Sequence, residues 1–268
     1  MTDQPYAKKS LGQHWLNDPA TLEAIVDEAD LQPSDVVLEI GPGPGALTKY
    51  LVKQAREVVA VEFDERFAKS LAQTVAADNL QVVHQDILKF DLTSLAPGYK
   101  VVANIPYYLT SNLLRVLSES ANPPATIILL IQKEVAERVA AKPGQMSLLS
   151  VSVQLYYQPR LGVKVPALLF SPPPKVDSQV LVLQKREEAL FPTTSLQAIL
   201  TVVRAGFSAR RKTLLNSLSG GLRLDKPAVT QILAAAGLDP SKRPQELTLA
   251  EWHQLTLAVQ QHSPTLNT

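Results

Sequence analysis

The chain reads as an α/β protein: an open, mostly parallel sheet with helices on both faces, followed by a smaller all-helical domain. Three observations predict this. Short apolar segments alternate with helical patterns between residues 35 and 131, the first of these segments runs into a glycine-rich turn, "GPGPG" at 41–45, and only helical patterns remain beyond about Phe191. Strand and helix in strict turn are the signature of a parallel sheet covered on both sides.

Each element has a local reason. In "NDPATLEAIVDEADL", Asn17 or Asp18 can cap a helix, Pro19 suits its first turn, and Leu22, Ile25, Val26 and Ala29 form an apolar stripe. Strands follow at "DVVLEI" 35–40, "EVVAVE" 57–62, "LQVVHQ" 80–85, "KVVANI" 100–105 and "ATIILLI" 125–131. Between and after them, "ALTKYLVKQA", "ERFAKSLAQTVAA" and "TSNLLRVLSES" are helix-compatible. Further on, "RLGVKV" and the alternating "KVDSQVLVLQK" read as strands, the latter placing Val176, Ser178, Val180 and Val182 on one face and closing the sheet. "SLQAILTVVRAGF", "RRKTLLNSL", "KPAVTQILAAAG" and "TLAEWHQLTLAVQQ" are helical patterns, which divides the chain into residues 1–188, including an N-terminal arm, and 189–268.

Composition narrows the chemistry. With 268 residues and 46% hydrophobic content the chain can bury a large core. Having no cysteine, it holds neither a disulfide framework nor a thiolate site. His14, His84, His253 and His262 are scattered without ligand spacing, so no metal is expected. "MTDQPYAKKSLGQ" lacks the apolar core of a signal peptide, and "ATIILLI" is too short to cross a bilayer, which predicts a cytoplasmic protein without a membrane anchor. The net charge is only +1; up to Arg186 there are 18 basic against 19 acidic residues, and beyond it 8 against 6. Any footprint for a polyanion must therefore be local. Two clusters qualify: Lys8 with Lys9, and Arg204 with Arg210, Arg211 and Lys212.

The turn "VLEIGPGPGALT" lies where the first strand of the parallel set should end. Gly41, Gly43 and Gly45 let the backbone turn sharply and approach a ligand closely, and Glu62, 21 residues past Gly41, is placed to hold the hydroxyls of a ribose. Two ligands compete at this point. A dinucleotide would rest its pyrophosphate on free helix amides; Pro44 supplies none, and Glu39 just before the loop suits a cation instead, as in S-adenosylmethionine. Asp86, at the end of the third strand of that set, can accept an adenine amine or simply cap the next turn.

"VVANIPYYLTS" at 101–111 stops an apolar strand at Asn104, bends at Pro106 and presents two tyrosines. The Asn104 amide oxygen and the Ile105 carbonyl can each accept a hydrogen from an exocyclic amine, Pro106 helps to leave that carbonyl unpaired, and Tyr107 offers a flat face to a base. Phe170, leading the stiff "FSPPPKVDS", can bring a second ring to the opposite face. The same stretch also reads as an ordinary turn, with Phe170 in the core.

Taken together, "KKSLGQHWLND", "EIGPGPGALT", "VEFDERF", "QDIL", "NIPYYLTS", "IQKEVAERV", "FSPPPKVDS" and "RAGFSARRKTLLNSL" resemble the ribosomal RNA adenine dimethyltransferase family over nearly the whole chain, most closely its bacterial small-subunit branch. The resemblance implies a Rossmann-like methyltransferase domain that uses S-adenosylmethionine to dimethylate N6 of two adjacent adenosines near the 3′ end of small-subunit rRNA. It implies cofactor contacts at His14, Leu16, Gly41, Gly43, Glu62, Asp86 and Asn104, and a target-adenine cradle of Asn104, Ile105, Pro106 and Tyr107 with Phe170. The partner it implies is rRNA in a pre-ribosomal particle, engaged by a monomer whose helical domain and basic clusters contribute to binding. His14, Trp15 and Ile105 depart from the commonest family residues, asparagine, phenylalanine and leucine. Related DNA enzymes typically carry Asn-Pro-Pro-Tyr, so isoleucine at 105 favours RNA.

Overall fold

The computed structural model describes residues 12–209 and 211–262, and it divides into two compact units. The first holds the residues up to Glu137 together with Gln158–Lys185; the second holds Arg138–Tyr157 and the residues from Arg186 onward.

In chain order the elements are β1 (Trp15–Leu16), α1 (Pro19–Asp27), β2 (Val36–Ile40), α2 (Thr48–Gln54), β3 (Glu57–Glu62), α3 (Glu65–Val75), β4 (Leu80–His84), β5 (Lys100–Asn104), α4 (Thr110–Glu119), β6 (Thr126–Gln132) and α5 (Lys133–Val139). After these come α6 (Leu148–Gln154), β7 (Tyr157–Val165), β8 (Phe170–Ser171), β9 (Ser178–Lys185), α7 (Leu196–Gly206), α8 (Leu214–Leu222), α9 (Lys226–Ala235) and α10 (Leu249–His262). Of the two candidate caps for α1, Asp18 is the one used: its carboxylate accepts the Thr21 amide at 2.9 Å, and Pro19 opens the helix.

The main sheet has seven strands in the order β4-β3-β2-β5-β6-β9-β7. Strands β2 to β6 pair in parallel and β9 runs antiparallel to β6. Every residue of β2 is buried, the continuous apolar run expected of a strand covered on both faces. Val37, Val58, Val102 and Ile128 meet Ile25 and Val26 of α1 and Leu51 of α2 in one core cluster. The chain moves outward from β2 to β3 and β4, then returns to place β5 on the other side of β2. That reversal opens a crevice at the C-terminal ends of β2 and β5, where open α/β sheets take their ligands. Leu38 pairs with Val101, so Gly41 and Asn104 arrive at the crevice in register.

Two details differ from the sequence expectation. The alternating segment starts as a strand at Ser178, leaving Val176 outside it and 46% exposed. Instead of closing the sheet, β9 inserts between β6 and β7, so β7 takes the edge and Ser178–Leu183 are all buried. A two-stranded sheet also appears that local patterns did not announce: β1 pairs antiparallel with β8, Trp15 opposite Ser171 and Leu16 opposite Phe170.

The second unit is helical. Val151 and Leu155, from the segment that the linear reading grouped with residues 1–188, share its core with Leu200, Leu214, Leu218 and Trp252. Their apolar faces explain why Arg138–Tyr157 sorts with the later helices.

Candidate active site

A cavity of about 230 Å³ lies at the crevice, lined by the arm at Gly12–Leu16, the glycine turn, Glu62, Asp86, the Asn104–Tyr108 segment and Phe170. Gly41 and Gly43 have φ of +65° and +53°, a backbone region that side-chain-bearing residues enter at a cost. This turn carries the chain past β3, and the Gly43 amide donates to Glu62 Oε2 at 2.9 Å. The Asp64 amide donates to the other oxygen, Oε1, at 2.7 Å. Each Glu62 oxygen thus receives at least one backbone amide, and a carboxylate with about four lone-pair sites keeps capacity for a further donor. Burial raises the Glu62 carboxyl above its usual range, opposed by these amides.

Glu39, the penultimate residue of β2, is 1% exposed, and its Oε2 has no hydrogen-bond partner within ordinary bonding distance among the described residues. Burial pushes its carboxyl up to about 8, opposed by the neighbouring Thr48 hydroxyl and reinforced by the Glu62 charge. A buried carboxyl with an unsatisfied oxygen on a cavity wall is costly unless a donor or a cation meets it.

Asp86 follows β4 and both caps and lines: its Oδ1 accepts the Leu88 amide at 3.0 Å while the residue borders the cavity. The capping role anticipated from sequence is thus seen, and capping does not take the residue away from the cavity.

At the end of β5, the Asn104 Nδ2 donates to the backbone carbonyl of His14 at 3.3 Å. Committing the amide nitrogen to the arm leaves the amide oxygen as the group's acceptor for another donor. Ile105 is buried, and its carbonyl receives no backbone hydrogen bond from the described residues. Two acceptors of one kind thus stand on adjacent residues. Pro106 begins a 3-10 turn, Tyr107–Leu109, in which the Leu109 amide returns to the Pro106 carbonyl at 3.0 Å.

Tyr107 is fixed from behind, its hydroxyl sharing a 2.8 Å hydrogen bond with Ser178 Oγ. Burial raises the phenol's pKa, so it stays protonated in neutral solution. His14 stacks near Tyr107, with ring centroids 5.9 Å apart and planes 21° from parallel, and its Nδ1 lies 2.7 Å from the Pro172 carbonyl. A carbonyl only accepts, so Nδ1 carries the proton. Phe170 is 4% exposed; it belongs to the core cluster and lines the cavity as well. Leu16 is buried in the same cluster beside it.

Three contributors were given no role at the site from sequence. Trp15 lays its indole against the glycine turn, where a Cβ on Gly43 would sit 3.6 Å from Nε1, and packs edge-on to Phe67. Ser178 anchors Tyr107 across 71 residues of sequence. Pro172 receives His14. The only sequence trace of Ser178 is a hydroxyl residue on an otherwise valine face. In the second unit, Arg204, Arg211 and Lys212 are exposed around the turn between α7 and α8. Lys8, Lys9 and Arg210 lie outside the described residues.

S-adenosylmethionine fits this set of donors and acceptors. Glu62 has acceptor capacity for ribose hydroxyls and Asp86 for an adenine amine, and the buried Glu39 carboxyl behind the wall disfavours an anion there. A diphosphate does not fit: it would face the carboxyls of Glu39 and Glu62, and α2 starts only at Thr48 and spans seven residues.

Residues 5–260 match the family model for ribosomal RNA adenine dimethylase. A ribosomal RNA small subunit methyltransferase A from Dehalococcoides mccartyi is 41% identical over 255 residues, spanning 94% of this chain and 88% of the relative. Another, from Geobacillus kaustophilus, is 40% identical over 265 residues, 94% of this chain and 90% of the relative. Among solved structures, a dimethyladenosine transferase from Plasmodium falciparum superposes with a TM-score of 0.77 at 28% identity, covering 93% of this chain and 98% of its own. The 23S rRNA methyltransferase ErmE gives 0.74 at 30% identity, covering 91% and 98%. The chain belongs to the ribosomal RNA adenine dimethylase family.

Proposed function

We propose that this protein transfers methyl groups from S-adenosylmethionine to N6 of two adjacent adenosines near the 3′ end of small-subunit rRNA, acting as a cytoplasmic monomer on a pre-ribosomal particle. One observation carries this: the Asn104–Tyr107 cradle and the Gly41–Glu62–Asp86 wall open on a single cavity. The relatives' names supply the choice of subunit.

When bound, S-adenosylmethionine supplies an electrophilic methyl group. The protein's part is to prepare the nucleophile. An adenine N6 is weakly nucleophilic because its lone pair is delocalised into the ring. The Asn104 amide oxygen and the Ile105 carbonyl accept its two hydrogens, which draws density onto nitrogen and favours a pyramidal geometry. Tyr107, held by Ser178, and Phe170 offer faces between which the base is seated. An aromatic face also stabilises developing positive charge by about 0.5–2 kcal/mol, and positioning lowers the barrier further. The alkylated amine is acidic enough to lose its proton without a strong base. To reach the cradle the target must leave its stack.

Around this centre, His14 and Leu16 close the cofactor end. Lys8, Lys9, Arg204, Arg210, Arg211 and Lys212 contact phosphates, which fixes register without reading bases. The helical domain, roughly residues 189–268, serves RNA binding, and the enzyme's action forms part of small-subunit biogenesis.

The test offers labelled S-adenosylmethionine with small and large ribosomal subunits lacking these methyl groups to the wild type and to Asn104→Ala. Label should enter only small-subunit rRNA, and only with the wild type. Transfer at the wild-type rate by Asn104→Ala would overturn the mechanism. Label in the large subunit would favour a role like that of the 23S enzyme, which has nearly the same fold similarity. An assembly role independent of chemistry predicts that Glu62→Ala impairs subunit maturation less than gene deletion does.

A further inference from the structure

Tyr108 has no part in the chemistry above, yet it is 66% exposed at the mouth of the same cavity. Successive residues of a 3-10 turn point about 120° apart. Tyr107 turns inward to Ser178, and its neighbour is thereby sent outward. One side of the Tyr108 ring is backed by the arm: a Cβ on Gly12 would lie 3.5 Å from its Cδ1 and 3.7 Å from Cε1. Among the described residues nothing covers the rest of the ring, and its hydroxyl has no hydrogen bond to another described residue. A large aromatic ring, propped from behind and open in front, is a poor contributor to folding and a good platform for a flat ligand.

We propose that Tyr108 stacks on the base next to the target adenosine in the RNA strand. This rests on the RNA methyl-transfer function proposed above, and it adds a specificity residue to that site. Moving the target base into the cradle strips its sequence neighbour of a stacking partner. An aromatic face one residue beyond Tyr107 replaces that partner at the place where the strand must bend. Stacking tolerates any base but is strongest for purines, which suits a substrate whose target is flanked by a second adenosine. With Tyr107 and Tyr108 adjacent in the chain, the strand's two neighbouring bases would meet two neighbouring rings.

The experiment measures kcat, KM for unmethylated small subunits and the cofactor dissociation constant for wild type, Tyr108→Ala, Tyr108→Leu and Tyr108→Phe, using the full chain. Losing one base–aromatic stack should raise KM for the subunits by about tenfold or more in the alanine and leucine variants. The phenylalanine variant should stay near wild type, because the ring and not the hydroxyl does the stacking. Cofactor affinity and the unfolding midpoint should not move in any variant. Three results would overturn the proposal: wild-type KM in Tyr108→Ala, full rescue by leucine, which would mean general apolar packing, or weakened cofactor binding with unchanged KM, which would make the ring part of the cofactor wall. If wild-type enzyme failed to methylate the subunits, the proposed function itself would fall instead, so the two failures are separable.

Discussion

The hydrogen bond between Tyr107 and Ser178 makes a prediction in which a second substitution restores stability but not activity. Ser178 is fully buried, and the Tyr107 hydroxyl is the only hydrogen-bond partner of its side chain among the described residues. Tyr107→Phe therefore strands a buried hydroxyl, at a cost of about 1–3 kcal/mol. Ser178→Ala leaves the tyrosine hydroxyl without its partner, but Tyr107 is only partly buried and borders the cavity, so water can replace the serine and the cost falls to about 1 kcal/mol. Removing both hydroxyls leaves nothing unsatisfied. The double variant should consequently be more stable than Tyr107→Phe alone, a reversal of sign on adding a second substitution. Activity should behave otherwise, since the ring loses its anchor in all three variants and kcat drops by about ten- to a hundredfold in each. Urea unfolding at constant slope gives the stabilities, and single-turnover methyl transfer gives the rates. Additive destabilisation in the double variant would show that the two hydroxyls are not coupled. Recovery of kcat along with stability would show that the ring's position does not depend on Ser178.

Other sites give shorter predictions. Glu39 is protonated more readily in the folded protein than in the unfolded chain, so the ligand-free protein should lose stability as pH rises from about 4.5 to about 8. Glu39→Gln should flatten that profile in urea midpoints and weaken cofactor binding in calorimetry; an unchanged profile would mean that Glu39 meets a counter-charge already. Gly206→Ala would drive a Cβ into the indole of Trp252, which is fully buried, and should cost about 1–3 kcal/mol without altering cofactor affinity. Arg211→Ala and Lys212→Ala should weaken RNA binding at low salt and lower the slope of log affinity against log salt by about one each. A slope unchanged from wild type would remove that residue from the phosphate contacts.

The parallel strands and their helices were legible because each rests on neighbours in sequence: β2, β3 and β5 are apolar runs ended by Gly41, Glu62 and Asn104, and the crevice follows from their order. What escaped sequence reading is long-range. The pairing of β1 with β8 joins segments more than 150 residues apart, and neither two-residue strand carries a period to detect. Ser178 looked like one member of an alternating face, and nothing local says that a tyrosine 71 residues earlier bonds to it.

The missed contacts share a consequence for function. His14, on the arm, receives the Asn104 amide through its backbone carbonyl and donates its ring proton to Pro172, two residues past Phe170. The arm thereby ties the amide proposed to hold the target amine to the segment that carries Phe170, the proposed second ring. The Asn104 contact uses a main-chain atom, so substitutions at 14 preserve it and the departure from asparagine is tolerated there. The Pro172 contact uses the side chain, and asparagine, being shorter, has a donor but less reach. His14→Asn should therefore leave cofactor affinity within about twofold while loosening the β1–β8 pair. Faster amide exchange at Trp15 and Leu16 would register that loosening. Equal exchange in the two proteins would show that the two-residue ladder holds the arm without the imidazole.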